Sequence, residues 1–207
     1  MAHYIDLSHP ISHEMPVYPG DQPVSLEQIA NREEEGHSNF LLSTGMHAGT
    51  HLDGPMHLTS SLTMIADLPL DCFTGKGFLV NMVGQKFIDL HESIFDKLLP
   101  DSVVLFHTGY DLFFNQKAYY HSYPVLSDNT ARILVKKKVK IVGFDSPSPD
   151  YAPYPIHNIL LNNQILIIEN LTNLSALLPY REFELLAFPL KIKADSSPLR
   201  VVARVND

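Results

Sequence analysis

Between Met46 and His57 the chain reads Met-His-Ala-Gly-Thr-His-Leu-Asp-Gly-Pro-Met-His, so His47, His51, Asp53 and His57 share one short window with Gly49, Gly54 and Pro55 between them. No regular element aims all four side chains at one point. On a helix His47 and His51 would be i, i+4 neighbours, but Asp53 would rotate away from them. On a strand His47, His51 and Asp53 share a face, yet four residues rise roughly 13 Å, near the limit for two imidazoles meeting at one ion. A bent segment satisfies both demands, because Gly49 can take backbone angles closed to other residues and Pro55 biases Gly54 away from the helical region. The expectation is a strand end passing into a tight loop, with His47 and His51 converging through a turn. Imidazole nitrogen and carboxylate oxygen are the usual ligands of zinc and its first-row neighbours, so the window reads as a metal site. Histidines also cap helices, satisfy core polar groups and decorate loops. The 11 histidines of the chain would place about 0.6 in a window of this size by chance, against the three found.

At 207 residues the chain suits one domain, residues 1–207, with a substantial core. A hydrophobic content of 45% and a charged content of 18%, with mean hydropathy of −0.01, fit a globular enzyme rather than a disordered chain. The formal charge of −8 argues against nucleic acid, which needs a basic face. A small-molecule partner fits better. Cys72 is the single cysteine; it excludes an internal disulfide and is expected to be a buried structural residue. No basic start with an apolar stretch and no long apolar run occurs, which predicts a soluble, cytoplasmic protein without a membrane span.

Residues 4–25 are dense in proline and predict a short edge strand followed by an extended loop, in which Tyr18 is a candidate pocket wall. Residues 31–37 read as a solvated acidic loop, and Phe40 to Thr44 as a strand leading into the histidine window. Short helices are expected over 62–68 and 91–99, each closed by a proline. Residues 77–83 and 102–106 read as buried strands. Ser127 caps an expected helix over 128–138, whose lysines at 136–138 suit the helix dipole, and a strand follows over 139–144. A rigid loop, 145–155, leads to a brief helix over 157–163, and the apolar run 164–168 delivers Glu169 at its end. Strands are expected over 184–193 and 199–205, joined by a turn at 195–198. The pattern is α/β, with many strands and few helices.

Several apolar strands end in polar residues, namely His107, Asp145 and Glu169, and strand ends are where ligand sites gather. His157 and Glu169 flank a helix-to-strand transition that could bring them side by side. Each also has an ordinary reading, as a helix cap and a surface ion-pair partner. Convergence of both on Asp53 would supply three histidines and two carboxylates, enough for two ions about 3.5–4 Å apart bridged by a carboxylate.

With these residues in view, the chain resembles the metal-dependent cyclase-like hydrolases, the family that includes bacterial kynurenine formamidase and isatin hydrolase. The family pattern His-x-Gly-Thr-His-x-Asp-x-Pro-x-His is matched at every defined position from His47 to His57. Further landmarks are Asp6-Leu7-Ser8-His9-Pro10, Pro19-Gly20-Asp21, Gly143-Phe144-Asp145 with Ser148, and Pro189-Leu190-Lys191-Ile192 with Pro198 and Arg200. The resemblance implies a compact α/β domain around a β-barrel-like mixed sheet, assembled as a homodimer or homotetramer. It implies that His47, His51 and Asp53 hold one divalent ion, that Asp53 bridges to a second held by His157 and Glu169, and that His57 is the catalytic acid/base. Zinc leads the expectation for the metal, with manganese or another first-row ion as alternatives and one or two ions per chain. Two positions depart from the family's common residues. His107 stands where arginine is frequent, and Tyr18 stands where formamidases tend to carry tryptophan, a residue this chain lacks. Both are substrate-pocket candidates.

The implied chemistry is metal-assisted hydrolysis of a small amide of the arylformamidase kind. A metal lowers the pKa of bound water toward about 7 and polarises the scissile carbonyl, while an imidazole, titrating near pH 6.5 when unperturbed, suits proton delivery to the departing nitrogen. Alternatives within enzymes are isatin-like cyclic amide or lactone opening and a dehydrating cyclase. The alternative outside enzymes is a non-catalytic metal- or ligand-binding protein.

Overall fold

The computed structural model describes residues 1–206. In chain order the strands are β1 (Ala2–Asp6), β2 (Ser25–Ala30), β3 (Asn39–Ser43), β4 (His51–Asp53), β5 (Thr74–Asn81), β6 (Phe87–Ile88), β7 (Val103–His107), β8 (Val125–Leu126), β9 (Ile141–Phe144), β10 (Leu166–Glu169), β11 (Phe183–Leu186), β12 (Ser196–Pro198) and β13 (Val202–Asn206). The helices are α1 (Arg32–Glu35), α2 (Asp128–Lys136) and α3 (Pro155–Asn162). Nine strands form one mixed sheet in the order β1-β13-β11-β5-β7-β9-β10-β4-β12, curled into a half-barrel.

Within this sheet the run β5-β7-β9-β10 is parallel and the other pairings are antiparallel. Parallel strands need crossovers, and α2 and α3 supply those into β9 and β10. Covered on both faces, β7, β9 and β10 are buried at every position, which is why they read as unbroken apolar runs rather than alternating ones. Their residues divide between two cores. Val104, Phe106, Val142, Phe144 and Ile167 pack with Leu134 of α2 and Leu160 of α3, whereas Leu105, Ile141 and Ile168 face Leu52, Leu185 and Ala203 across the curl. Ser127 caps α2 by accepting from the Thr130 amide at 3.0 Å, as its position predicts. Lys136 and Lys137 pair with Glu92 and Asp96 on the surface.

Several expected elements are shorter or of another kind. Residues 91–99 form one 3₁₀ turn, Glu92–Phe95, capped by the His91 side chain, and 62–68 form another, Ile65–Asp67. Both stretches are too short to offset helix nucleation without packing along a full face. The acidic stretch after Asn31 is a single helical turn, α1, because Asn31 accepts from the amides of Glu33 and Glu34. The strand expected over 184–193 stops at Leu186, and 195–198, expected to be a turn, contains the edge strand β12 instead. β3 belongs to a separate hairpin with β2. Cys72 is half-buried at the border of the second core rather than fully enclosed. Among the described residues no helix is long and apolar enough to cross a membrane.

The inner wall of the curl is tight where β5 meets β11. A Cβ on Gly77 would lie 1.9 Å from the Phe183 ring, which is itself buried. Gly77→Ala should therefore destabilise the fold by about 1–3 kcal/mol, read as a lower urea midpoint at unchanged slope.

Candidate metal centre and cavity

Strand register assembles the centre. On one side β4 pairs with β10, Glu169 opposite His51, and on the other it pairs with β12, Ser196 opposite Asp53. His51 and Asp53 are two apart and leave β4 on one face, where Glu169 of β10 joins them. His47 arrives from the turn before β4. Gly49 takes φ +62° there, in the left-handed region that favours glycine. His157 projects from the first turn of α3.

The five residues predicted as ligands meet at this point. His47 Nδ1 lies 2.9 Å from Asp53 Oδ1, His51 Nε2 lies 3.5 Å from Asp53 Oδ1 and 3.3 Å from Glu169 Oε2, and His157 Nε2 lies 3.7 Å from Asp53 Oδ2 and 3.2 Å from Glu169 Oε1. Asp53 faces His47 and His51 with one oxygen and His157 with the other, the arrangement a bridging carboxylate requires. His57 also comes within ligating reach, since donor atoms of His47, Asp53 and His57 lie within 4.8 Å of one another. Its Nδ1, however, is held by Asp195 Oδ2 at 3.0 Å.

The donor set fits a divalent cation on its own chemistry. His51 Nε2, both oxygens of Asp53 and Glu169 Oε1 are buried with no hydrogen-bond partner, a condition proteins rarely tolerate without an ion or ordered water. With neutral imidazoles the cluster holds two buried carboxylate charges, each costing several kcal/mol unless compensated. The remaining ring nitrogens are already used. His51 Nδ1 donates to the Gly49 carbonyl at 2.8 Å and His157 Nδ1 meets Asp150 Oδ1 at 2.7 Å. Such contacts fix the tautomer and aim the other nitrogen at a metal. Asp150 also accepts from the amides of Ile156 and His157, so one carboxylate caps α3 and orients its histidine.

Without a cation, protons do the compensating. Burial alone would lower the His47 pKa, but its hydrogen bond to Asp195 and the close carboxylate of Asp53 outweigh this and raise it to about 10. His51 is likewise raised against the pull of burial by the charges of Asp53 and Glu169. Burial also opposes protonation of His157, yet Asp150, Asp53 and Glu169 lift it well above its ordinary value. Burial would push Asp53 and Glu169 up, but the facing histidines hold both below the usual carboxylate range.

A cavity of about 180 Å³ opens over the centre, lined by His57 and Glu169 and walled by Tyr18, Tyr120, Tyr154 and Pro147. Tyr18 is thus a wall residue as expected, edge-on to Tyr120 with ring centroids 5.5 Å apart. His107 is not among the lining residues. It is buried at the end of β7 with Nδ1 unpartnered, because β7 ends two strands away from β10. Asp145 also turns elsewhere, accepting from the Thr108 and Gly109 amides; burial raises its pKa to about 7 despite these bonds. Of the three polar strand tips, only Glu169 reaches the cavity. Sequence reading missed Asp150, Asp195 and Tyr120. Asp195 lies in a stretch whose polar, proline-containing composition signals a turn, and only the pairing of β12 with β4 brings it near His57.

Titrating a divalent cation into metal-free protein at pH 7 should release protons, since His47, His51 and His157 must lose them to coordinate. Calorimetry in buffers of different ionisation enthalpy checks this. Heat independent of buffer would contradict the arrangement.

The Cyclase family model matches residues 5–151 of the chain. A kynurenine formamidase of Salinibacter ruber is 33% identical over 97% of this chain and 96% of its own length. One from Geobacillus thermodenitrificans is 31% identical over 99% and 98%. Isatin hydrolase A from Ralstonia solanacearum has the same fold, with TM-score 0.88 and 22% identity over 99% of this chain and 92% of that one. Near-complete coverage by relatives at this identity, together with the family match over most of the length, places the chain in the cyclase family.

Proposed function

We propose that this chain is a metal-dependent hydrolase of a small non-peptide amide, most like an arylformamidase that converts N-formylkynurenine to kynurenine and formate. One observation carries the reading: unpartnered buried donor atoms of His51, Asp53 and Glu169 converge beneath a cavity that also holds His57. The kynurenine formamidases at 31–33% identity support it.

His47, His51 and Asp53 would hold a first ion, with Asp53, His157 and Glu169 as the donor set for a second. A divalent cation there supplies Lewis-acid polarisation of the amide carbonyl and acidifies water near neutral pH. Mixed imidazole and carboxylate donors suit zinc, and they accept manganese as well. His57 keeps its Nδ1 on Asp195 and so has Nε2 to carry a proton to the departing nitrogen. Tyr18, Tyr120 and Tyr154 offer aromatic faces and edges to a flat substrate ring. The cytoplasm as its location and a homodimer or homotetramer as its assembly belong to the same proposal. Ring opening of a cyclic amide is the second reading, favoured by the fold shared with isatin hydrolase A.

Elemental analysis of purified protein, followed by assays on N-formylkynurenine, isatin and simple lactones, tests the reading. Turnover is expected to be fastest on the formamide, to vanish on chelation and to return with zinc. Faster opening of isatin would hand the assignment to the second reading, and no turnover by metal-loaded protein on any of these carbonyls would favour a binding protein.

Substituting His57→Ala should lower kcat by about 10²–10⁴-fold while metal content stays near that of the parent. Loss of metal instead would make His57 a ligand.

A further inference from the structure

We infer that Asp195 is a positioning residue that sets the tautomers of His47 and His57 through a single carboxylate oxygen, turning one imidazole lone pair to the metal donors and leaving the other for the cavity. Asp195 Oδ2 lies 3.0 Å from His47 Nε2 and 3.0 Å from His57 Nδ1. An ionised carboxylate oxygen can only accept, so both of those nitrogens carry hydrogen. With a cation in place, His47 is thereby left with its lone pair on Nδ1, the nitrogen that lies 2.9 Å from Asp53 Oδ1. His57 is left with its lone pair on Nε2, in a ring that lines the cavity. The two rings lie 4.2 Å apart between centroids, so one oxygen serves both without distorting either.

The approach of Asp195 is built into the backbone. Its carbonyl accepts from the Gly54 amide at 2.9 Å, and a Cβ on residue 54 would sit 2.9 Å from that carbonyl oxygen. Glycine at 54 therefore admits the segment that carries Asp195, and β12 follows at once in register with β4. The two histidines differ in their reserve partners. Ser196 Oγ lies 2.9 Å from His47 Nε2 and can hold that ring if Asp195 is removed. Among the described residues, Asp195 is the hydrogen-bond partner of the His57 ring. Loss of the carboxylate should therefore disturb proton transfer more than metal binding.

The inference rests on the hydrolase reading for its kinetic arm alone, and the test keeps the two apart. In histidine-labelled, zinc-loaded protein, nitrogen NMR at pH 8 should find His57 protonated on Nδ1, and in Asp195→Ala on Nε2, the tautomer a free imidazole side chain prefers. Zinc affinity should fall less than about tenfold in Asp195→Ala but about 10–100-fold in the Asp195→Ala, Ser196→Ala double variant. With a turned-over substrate, kcat of Asp195→Ala should drop about 10²–10⁴-fold with KM changed less than about threefold. Asp195→Asn keeps size and can set its carbonyl oxygen where Oδ2 lies, accepting from both rings, so as the conservative variant it should preserve both tautomers. A folded, zinc-loaded Asp195→Ala whose His57 spectrum matches the parent would overturn the assignment. So would a kcat loss accounted for wholly by lost zinc. If no substrate is turned over at all, the functional reading falls while the tautomer measurement still decides this one.

Discussion

Two carboxylates, Asp53 and Glu169, are buried side by side at the junction of β4 and β10, and the rest of the centre answers that constraint. Repulsion and desolvation together make such a pair untenable without positive charge. Three imidazoles facing the pair allow two forms of compensation. Protons on the histidines compensate the pair in the metal-free state, and a divalent cation would replace them with a more localised charge. The raised histidine and lowered carboxylate pKa values describe the same balance from its two sides.

Each donor histidine is held from behind by a different device. A carbonyl freed by the left-handed Gly49 orients His51, a helix-capping carboxylate orients His157, and a loop carboxylate shared with His57 orients His47. Three segments with no sequence relation thus converge on one requirement, a lone pair fixed in direction. A site made this way is rigid because its outer partners are themselves anchored. Asp150 is tied to the start of α3, and the Asp195 backbone to Gly54.

The cavity above the metal donors depends on elements remote from them in the chain. Tyr18 comes from the proline-rich entry, Tyr120 from the long segment after β7, and Tyr154 and Pro147 from the loop leaving β9. Tyrosine presents a flat apolar ring and a polar tip, so three of them give the cavity a wall of aromatic surface with polar edges. His107, at the end of β7, does not join them.

Much of this protein is legible in its residues. The motif from His47 to His57 determines a bent, metal-binding segment because only Gly49 permits the reversal that two imidazoles need. The apolar runs at 102–106, 139–144 and 164–168 determine buried strands because covered strands need not alternate, and the structure pairs them in parallel. Glu169 and His157 stand out in the second half as a polar strand tip and a histidine across a helix-to-strand transition, and the family resemblance adds their role as ligands. Local pattern misjudged the short turns at 65–67 and 92–95, where packing of a few side chains and not helical periodicity sets the backbone. It also misjudged 195–198, because polar residues beside a proline signal a turn unless a neighbouring strand claims their amides. Only the tertiary structure decided that Ser196–Pro198 closes the sheet against β4. That long-range pairing, between residues more than a hundred positions apart, is what brings Asp195 between His47 and His57, and no local property of the chain encodes it.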